Sequence, residues 1–471
     1  MIDDSSQLAR RVNAEPSKMN FHFIAIGGAV MHNLAIALHK KGYTVSGSDD
    51  EIFEPSYSRL EAHGLLPDKQ GWDPDRIHTG LDAVILGMHA QKTNPELKKA
   101  QDLGIKISSF PEYLYEHSKN KKRIVIGGSH GKTTITAMVM HVLHEQNKDF
   151  DYMVGSQIAG FETMVKLSED APLIILEGDE YLSSPLDLTP KFHQYNPHMT
   201  LLSGIAWDHM NVFRTFETYK KQFGKFLRIA TGGGKVFYYD GDPVLGDVID
   251  KSHWSLMKIP YNEHPHKVES GRFVLETKYG SVPLNLFGRH NMQNIQGALL
   301  LCRDLGVEDH QFYDSIQTFK GAERRQQLLA NGNNRAVYLD FAHAPTTVKA
   351  TINAFKETYK YQKLVTCLEL HTYSSLNMEY MSQYKGTLDE ADQAMVYFNP
   401  AVVKRKKLPT LSPEEIQKQF NKEGLIVCND SHELVNHLTS LDENTFVLLI
   451  MTSGNFSGID LKNLAKEVIE G

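Results

Sequence analysis

An α/β protein of several domains with mainly parallel sheets is the fold class that this sequence predicts. Its 471 residues exceed the size at which one hydrophobic core stops growing, so two or three domains are expected. Short apolar runs alternate with helical patterns along most of the chain, which is typical of parallel sheets covered by helices. A glycine-rich turn joins one such run, Ile124 to Ile126, to a helix.

Composition limits the partners and the compartment. The net charge of -7 gives no support for a nucleic-acid partner, because such domains concentrate positive charge in a patch. The basic cluster Lys119 to Arg123 is interpreted as a solvated linker. Neither a disulfide framework nor a zinc spacing is indicated by the three cysteines, Cys302, Cys367 and Cys428. No apolar run reaches the length of a membrane span and Met1 to Lys18 is polar and acidic, so a cytoplasmic protein is expected.

The first domain has the order of a nucleotide-binding βαβ unit. An apolar strand, Phe21 to Ile26, runs into a Gly-Gly-Ala turn, a helical pattern and a second strand, Tyr43 to Ser46. Asp49 then stands roughly where such units place a ribose-binding carboxylate. The glycine pattern is not the full dinucleotide fingerprint, and an acid after a strand is also typical of a solvated loop, so both interpretations remain open.

The glycine-rich turn has the features of a phosphate-binding loop. Gly127–Thr134 reads Gly-Gly-Ser-His-Gly-Lys-Thr-Thr, and Thr134 to Glu145 is compatible with a helix. A phosphate would therefore lie at a helix N-terminus, with Lys132 on the terminal phosphates and the Thr133 hydroxyl on Mg²⁺. The first glycine is one residue too close for the strict pattern and Ile126 holds its place, so the loop is a compact variant.

Two further apolar runs deliver polar groups at their carboxyl ends. Leu173 to Leu176 leads to Glu177, and Thr200 to Ile205 leads towards Asp208 and His209. In doubly wound sheets that edge is where ligands bind. Glu177 could hold Mg²⁺, which prefers oxygen ligands, although an acidic loop tip has the same pattern.

A third domain is expected to begin near Phe319–Arg325, with strands and helices restarting at Val337. Its first strand ends in Asp340, with His343 close behind. Just before this domain, Gly288–Asn294 precedes an Ala- and Leu-rich helix. The His and Asn side chains of that stretch could bind a purine edge, or Asn291 could cap the helix.

Together these motifs resemble those of the Mur ligases, the ATP-dependent amide-forming enzymes of peptidoglycan synthesis, and the resemblance covers nearly the whole chain. The order and spacing of the motifs are its specific part. The resemblance implies a Rossmann-like UDP-sugar-binding domain over 1–120 and a central P-loop ATPase domain with a mainly parallel sheet over 121–321. It also implies a Rossmann-like C-terminal domain over 322–471 that contributes to ATP and amine binding.

The resemblance further implies ATP and Mg²⁺ as cofactors and small molecules as partners. The implied metal ligands are Thr133, Glu177 and His209. The implied nucleotide-binding residues are Gly128, Ser129, His130, Gly131, Lys132, Thr133, Thr134, His290, Asn291, Asn294, Arg325, Asp340 and His343. The implied UDP-sugar-binding residues are Gly27, Gly28, Ala29, Met31, Ser48 and Asp49. The implied catalytic residues, which stabilise negative charge during phosphoryl transfer, are Lys132, His209 and Arg325.

Within the family, Ile26 to Met31 and Ser46 to Asp49 resemble the two branches that take UDP-N-acetylmuramic acid itself. One branch adds L-alanine in de novo synthesis, and the other adds the tripeptide L-Ala-γ-D-Glu-meso-diaminopimelate in recycling. Other branches use a carbamylated lysine beyond the metal-binding histidine. Counting in register from His209 leads to Phe223, with lysines close by in the sequence.

Three segments resemble the tripeptide branch, namely Glu51 to Glu61, Asp179 to Pro197 and Ser453 to Ile459. The last is also compatible with a simple glycine-containing turn before the final helix. The Gly-Ala-Gly-Asp-Ile segment of the alanine-adding branch is not found near the C-terminus. In a departure from both branches, Glu369 to Thr372 stands where an arginine is usual, which puts in question a bidentate contact with the acceptor's carboxylate.

The expected function is therefore an ATP-dependent ligase that joins UDP-N-acetylmuramic acid to the tripeptide through an acyl phosphate. The alternative is an L-alanine ligase acting on the same sugar nucleotide. A non-catalytic Mur-like sensor that binds UDP-sugar and ATP is a further alternative, although no feature of the sequence favours it. A monomer or a weak homodimer is expected.

Overall fold

A computed structural model describes residues 19–252, 255–269, 271–441 and 445–470. The segment before residue 19, described above as polar and acidic, lies outside the described residues. Successive α/β units are built on three mainly parallel sheets, which confirms the predicted fold class. Within the described ranges, no helix combines the length and the apolar content needed to cross a membrane.

The N-terminal unit is a four-stranded parallel sheet in the order β2-β1-β3-β4. Phe23 in the central strand pairs with Gly47 on one side and Ile85 on the other. Its elements are β1 (Asn20–Ile24), α1 (Ala29–Lys40), β2 (Thr44–Ser48), α2 (Ser56–Ala62), β3 (Ala83–Leu86), α3 (Pro95–Asp102), β4 (Lys106–Ser109) and α4 (Phe110–His117), with a 3₁₀ turn at Pro74–Arg76. Strands covered on both faces read as continuous apolar runs, which is why β1 and β3 were predictable.

The central unit has a seven-stranded sheet in the order β11-β10-β9-β5-β8-β6-β7, in which the edge strand β7 is antiparallel to β6 and the other neighbours are parallel. A small antiparallel sheet, β12-β13-β14, follows it in the chain. The strands of the central unit are β5 (Lys122–Gly127), β6 (Asp151–Met153), β7 (Val165–Lys166), β8 (Leu173–Glu177), β9 (Met199–Leu202), β10 (Lys235–Tyr239), β11 (Met257–Tyr261), β12 (His266–Glu269), β13 (Arg272–Thr277) and β14 (Gly280–Pro283). Its helices are α5 (Lys132–Glu145), α6 (Phe216–Ile229), α7 (Pro243–Asp250), α8 (Arg289–Asp304) and α9 (Asp309–Ile316), with a 3₁₀ turn at Lys191–Gln194.

The C-terminal unit has a six-stranded sheet in the order β15-β16-β20-β17-β18-β19, with β15 alone antiparallel to its neighbour. Its strands are β15 (Gln327–Gly332), β16 (Arg335–Asp340), β17 (Lys363–Leu370), β18 (Gln393–Phe398), β19 (Ile426–Cys428) and β20 (Phe446–Met451). Its helices are α10 (Pro345–Thr358), α11 (Met378–Met381), α12 (Pro400–Arg405), α13 (Pro413–Phe420), α14 (Ser431–Thr439) and α15 (Leu461–Glu470), with 3₁₀ turns at Ser382–Tyr384 and Phe456–Gly458. The predicted restart at Val337 is too late, because the half-exposed edge strand β15 has no clear apolar pattern.

The basic cluster Lys119 to Arg123 leads into β5, and the prediction that it is a solvated linker is wrong for part of it. The Lys121 ammonium is buried and donates to Asp151 Oδ2 at 2.6 Å and to the Ser168 carbonyl at 2.6 Å. The buried Arg123 guanidinium donates to the Tyr195 carbonyl at 2.9 Å. Partners so distant in sequence cannot be identified from local composition.

Replacement of Lys121 by methionine is expected to destabilise the protein by about 3 to 5 kcal/mol, because it leaves the Asp151 carboxylate buried without its ion pair. A fall in the thermal unfolding midpoint would show this. Lys122→Met is the matched control, since Lys122 is the exposed neighbour and its loss should change the midpoint little. Equal midpoints for the two variants would contradict the structural role of the buried pair.

Candidate functional site

One cavity of about 1290 Å³ is lined by residues of all three units. The central unit contributes the ends of β5, β8 and β9 and the start of α5. The C-terminal unit contributes the ends of β16 and β17, and the N-terminal unit the start of α1. The carboxyl edges of three parallel sheets thus meet in one place, which is where α/β proteins bind ligands.

The predicted phosphate loop lies between β5 and α5 on the wall of this cavity. Gly131 is the N-cap of α5 with a φ of 78°, and Gly128 has a φ of 120°. A Cβ at Gly128 would lie 2.3 Å from Ser203 Oγ, so both conformation and packing require glycine here. The free N–H groups at the start of α5 therefore form a site suited to phosphate.

Lys132 is held in place by a carbonyl and a carboxylate of the central unit. Its ammonium donates to the Gly128 carbonyl at 2.7 Å and to Glu180 Oε2 at 2.8 Å. Burial alone would lower the pKa of Lys132, but nearby carboxylates, Glu180 foremost, outweigh it and raise that pKa above its usual value. The lysine is therefore charged at neutral pH and available to phosphate oxygens.

A buried tyrosine extends this network beneath the phosphate loop. The Tyr219 hydroxyl donates to Glu180 Oε1 at 2.8 Å and lies 2.8 Å from Ser129 Oγ. Ser129 Oγ in turn accepts the Ala206 N–H at 2.8 Å. Ser129, predicted to bind nucleotide, thus links the phosphate loop to the chain that follows β9. No sequence signal pointed to Tyr219, which comes 90 residues later than Ser129.

Two of the three predicted metal ligands lie together. The Thr133 hydroxyl donates to Glu177 Oε1 at 2.8 Å, and Glu177 Oε2 accepts the Gly155 N–H at 2.7 Å. Burial raises the pKa of Glu177 above its usual range. A carboxylate and a hydroxyl fit the oxygen preference of Mg²⁺. His209, by contrast, places Nε2 3.7 Å from Glu180 Oε1, although it also lines the cavity.

The predicted adenine-binding residues lie on the first turns of α8, beside the phosphate loop. Asn294 Nδ2 donates to Asn291 Oδ1 at 3.2 Å, and Asn291 Nδ2 donates to the Phe287 carbonyl at 2.9 Å. The N-cap of α8 is Gly288, so the interpretation of Asn291 as the cap is wrong. His290 lines the cavity, and burial lowers its pKa, which favours the neutral ring.

The C-terminal unit brings Arg325, Asp340 and His343 to the same cavity. The Arg325 guanidinium lies over the Phe341 ring, 4.3 Å from its centroid. Asp340 Oδ2 accepts the Gln326 N–H and Oδ1 accepts the Ala342 N–H, both at 2.8 Å. Burial lowers the pKa of His343.

A hydrogen bond of 2.6 Å joins His130 Nε2 in the phosphate loop to Thr346 Oγ1 at the start of α10. The central and C-terminal units therefore touch across the site. Burial lowers the pKa of His130 to about 4, so its ring is neutral. Thr134 also lines the cavity.

The predicted UDP-sugar residues divide into two groups. Gly28, Ala29 and Met31 line the cavity, whereas Gly27, Ser48 and Asp49 do not. The Asp49 carboxylate accepts the Gly27 N–H at 2.8 Å, and the Ser48 hydroxyl donates to the buried Glu96 carboxylate. The Ser48 and Asp49 side chains therefore stabilise the turns around the site. The sequence did not single out Met88 and His89, which line the cavity as well.

Phe223 occupies the position reached from His209 in the family register. Its ring is fully buried in α6, 5.6 Å from the Phe192 ring. Lys220 pairs with Asp247 at 2.6 Å, and neither it nor Lys221 lines the cavity. The structure thus places an aromatic core residue at the position where other branches use a modified lysine.

A phosphate loop with a charged lysine, an adjacent acid and hydroxyl, and a C-terminal unit that closes the same cavity define a nucleotide-dependent enzyme assembled from three α/β domains. The chain belongs to the Mur ligase family. The Mur ligase family catalytic domain matches residues 20–122, the Mur ligase middle domain residues 126–302, and the Mur ligase glutamate ligase domain residues 324–454. It is therefore an ATP-dependent carbon–nitrogen ligase.

Relatives in the family carry two different names. A UDP-N-acetylmuramate--L-alanine ligase of Carboxydothermus hydrogenoformans is 29% identical over 98% of this chain and 99% of that protein. A UDP-N-acetylmuramate--L-alanyl-gamma-D-glutamyl-meso-2,6-diaminoheptandioate ligase of Escherichia coli is 28% identical over 72% of this chain and 76% of that protein.

Solved structures with both names share the fold. A murein peptide ligase from Psychrobacter arcticus aligns with a TM-score of 0.69 at 21% identity, covering 96% of this chain and 99% of the other. A UDP-N-acetylmuramate-alanine ligase from Thermotoga maritima aligns with a TM-score of 0.72 at 21% identity, covering 96% and 98%.

Proposed function

We propose that this chain joins the lactyl carboxylate of UDP-N-acetylmuramic acid to the amino group of L-Ala-γ-D-Glu-meso-diaminopimelate, using ATP and Mg²⁺. The observation that carries the proposal is the shared cavity, in which Lys132, Glu177 and Arg325 from two domains converge. In this proposal residues 1–120 bind the UDP-sugar, 121–321 bind ATP, and 322–471 help to bind ATP and the amine.

In the proposed reaction, the lactyl carboxylate attacks the γ-phosphorus of ATP, ADP leaves, and the amine then displaces phosphate from the acyl phosphate. Both steps concentrate negative charge near the phosphate loop. In this proposal the Lys132 ammonium and the Arg325 guanidinium are preorganised, so that they stabilise the negative charge as it develops. Mg²⁺, when bound at Thr133 and Glu177, supplies further neutralisation of the β- and γ-phosphates.

Groups from α8 and β16 would hold the rest of the nucleotide. His290 and Asn294 lie beside the phosphate loop, where they can contact the adenine, and Asp340 ends the strand that faces them. Because the His343 ring is neutral, it would contact a phosphate through a hydrogen bond and not as a cation. Gly28, Ala29 and Met31 of the N-terminal unit line the same cavity, which supports their proposed contact with the UDP-sugar.

The choice of the tripeptide is supported by the segments that resemble that branch. Lys191 in one of them lines the cavity, where its ammonium donates to Asp179 Oδ2 at 2.6 Å. Ser453 in another lines the cavity as well. The L-alanine ligase is the second candidate, because the relative with that name matches a larger share of the chain.

With ATP, Mg²⁺ and UDP-N-acetylmuramic acid, the purified enzyme is expected to consume the tripeptide at least ~10-fold faster than L-alanine at equal concentration, since a tenfold preference needs only about 1.4 kcal/mol of extra transition-state binding. Product formation by mass spectrometry measures this. Equal or faster turnover of L-alanine would replace the proposal with the second candidate. Phosphate release that does not depend on any amine would instead point to the non-ligating sensor.

A further inference from the structure

Helix α12 ends in a basic cluster, of which one residue reaches the cavity. Lys404, Arg405 and Lys407 are exposed, whereas Lys406 is half-buried. Among these four residues, only Lys406 lines the cavity. Three residues of the cluster are therefore solvated surface residues, whereas Lys406 is not.

The Lys406 ammonium has no hydrogen-bond or ion-pair partner among the residues that the structure describes. Burial, together with the charge of Arg405, lowers the pKa of Lys406. Other cationic side chains that line the cavity are engaged: Lys132 with Glu180, Lys191 with Asp179, Arg289 with Glu263, and Arg324 with the carbonyls of Thr452 and Gly454. An unpaired, partly desolvated cation is costly unless a ligand supplies the opposite charge.

The position of Lys406 separates it from the groups proposed to bind ATP. It follows β18, and the sheet order β16-β20-β17-β18 places that strand three positions from β16, which carries Asp340. Strands lie about 4.8 Å apart, so this step across the sheet is roughly 14 Å. The strand that leads to Lys406 is therefore distinct from the strand that carries Asp340, although both belong to the C-terminal unit.

Polar side chains of the C-terminal unit line the cavity together with Lys406, among them His371, Tyr373 and Ser453. The Glu369 carboxylate, 3.6 Å from His371 Nδ1, is 2% exposed and already accepts the Phe456 N–H at 3.1 Å and the Thr452 hydroxyl.

We propose that Lys406 binds a carboxylate of the amine substrate that lies remote from the reacting amino group. The inference rests on the proposed ligase function and deepens it. In L-alanine the only carboxylate is attached next to the amine, whereas three extended residues span up to about 10 Å. A cation set on a different strand connection from the nucleotide-binding groups therefore selects an extended peptide that ends in a carboxylate.

Lys406→Met is expected to raise KM for the tripeptide about 10- to 100-fold, which is the usual effect of losing a charge-assisted hydrogen bond. The KM values for ATP and UDP-N-acetylmuramic acid should not change. Lys407→Met is the matched control, expected to behave as wild type. Lys406→Arg keeps the charge and should recover most of the affinity for the tripeptide.

The second test of the inference uses a tripeptide whose diaminopimelate carboxylates are amidated. It should bind the wild-type enzyme weakly, and Lys406→Met should weaken it no further. An unchanged tripeptide KM in Lys406→Met, an increase in the KM for ATP, or an equal loss in Lys407→Met would overturn the inference. Failure of the wild-type enzyme to form an amide with any amine would remove the proposed function, and the inference with it.

Discussion

Lys132→Ala is expected to lower the rate of amide formation by at least about 10³-fold, the scale on which single cations act in phosphoryl transfer. The ammonium sits at the start of α5, oriented by Glu180 and the Gly128 carbonyl. Its loss removes positive charge that the transition state needs. Initial rates of ADP release and of product formation measure the effect.

UDP-N-acetylmuramic acid should still bind Lys132→Ala, because the proposed sugar-binding wall belongs to the N-terminal domain. Calorimetric titration of the sugar nucleotide checks this. Lys122→Ala is the control, since Lys122 lies on the same strand-to-helix unit but is exposed. Near-normal turnover by Lys132→Ala would show that the site is wrongly placed.

Arg325→Ala is expected to lower kcat by about 10² to 10³-fold, as found when one preorganised donor is removed from a developing negative charge. The guanidinium is held over the Phe341 ring and lines the cavity shared with the phosphate loop. Loss of the Arg325 guanidinium should slow the chemical step, so KM for ATP should change far less than kcat. Steady-state kinetics with saturating sugar nucleotide and peptide separate the two.

Lys320→Ala provides the comparison for Arg325, because Lys320 is exposed and does not line the cavity. It should keep wild-type kinetics. A variant at Arg325 that retained kcat and lost only ATP affinity would indicate a ground-state binding role instead. A drop in the unfolding midpoint of Arg325→Ala would call for Arg325→Lys as the second variant, with the same kinetic comparison.

Much of the fold could be predicted because parallel strands covered on both faces are continuous apolar runs. β8 begins at Leu173, as predicted, and ends at Glu177, one residue after the predicted apolar run. The phosphate loop followed from glycines whose conformation no other residue adopts easily. Such signals are local. The antiparallel strands β12 to β14 and the edge strand β15 lack them, since their burial is partial and irregular.

The partners of the predicted site residues could not be derived in the same way. Glu180 contacts Lys132 across 48 positions of the chain, and Tyr219 contacts Ser129 across 90. Contacts between residues so far apart in the chain cannot be predicted from the local sequence. For the same reason Ser48 and Asp49 were predicted as ligand-binding residues, whereas their side chains make hydrogen bonds to Glu96 and Gly27.

The cavity whose walls come from three separate domains has a chemical consequence. An acyl phosphate hydrolyses readily in water, and an intermediate exposed to solvent would waste ATP without forming an amide. The described residues that line the cavity come from all three domains, so in the proposed reaction protection of the intermediate would depend on how the three domains meet. In the proposed reaction, the hydrogen bond between His130 and Thr346 would help to hold the central and C-terminal walls of the cavity together while the intermediate is present.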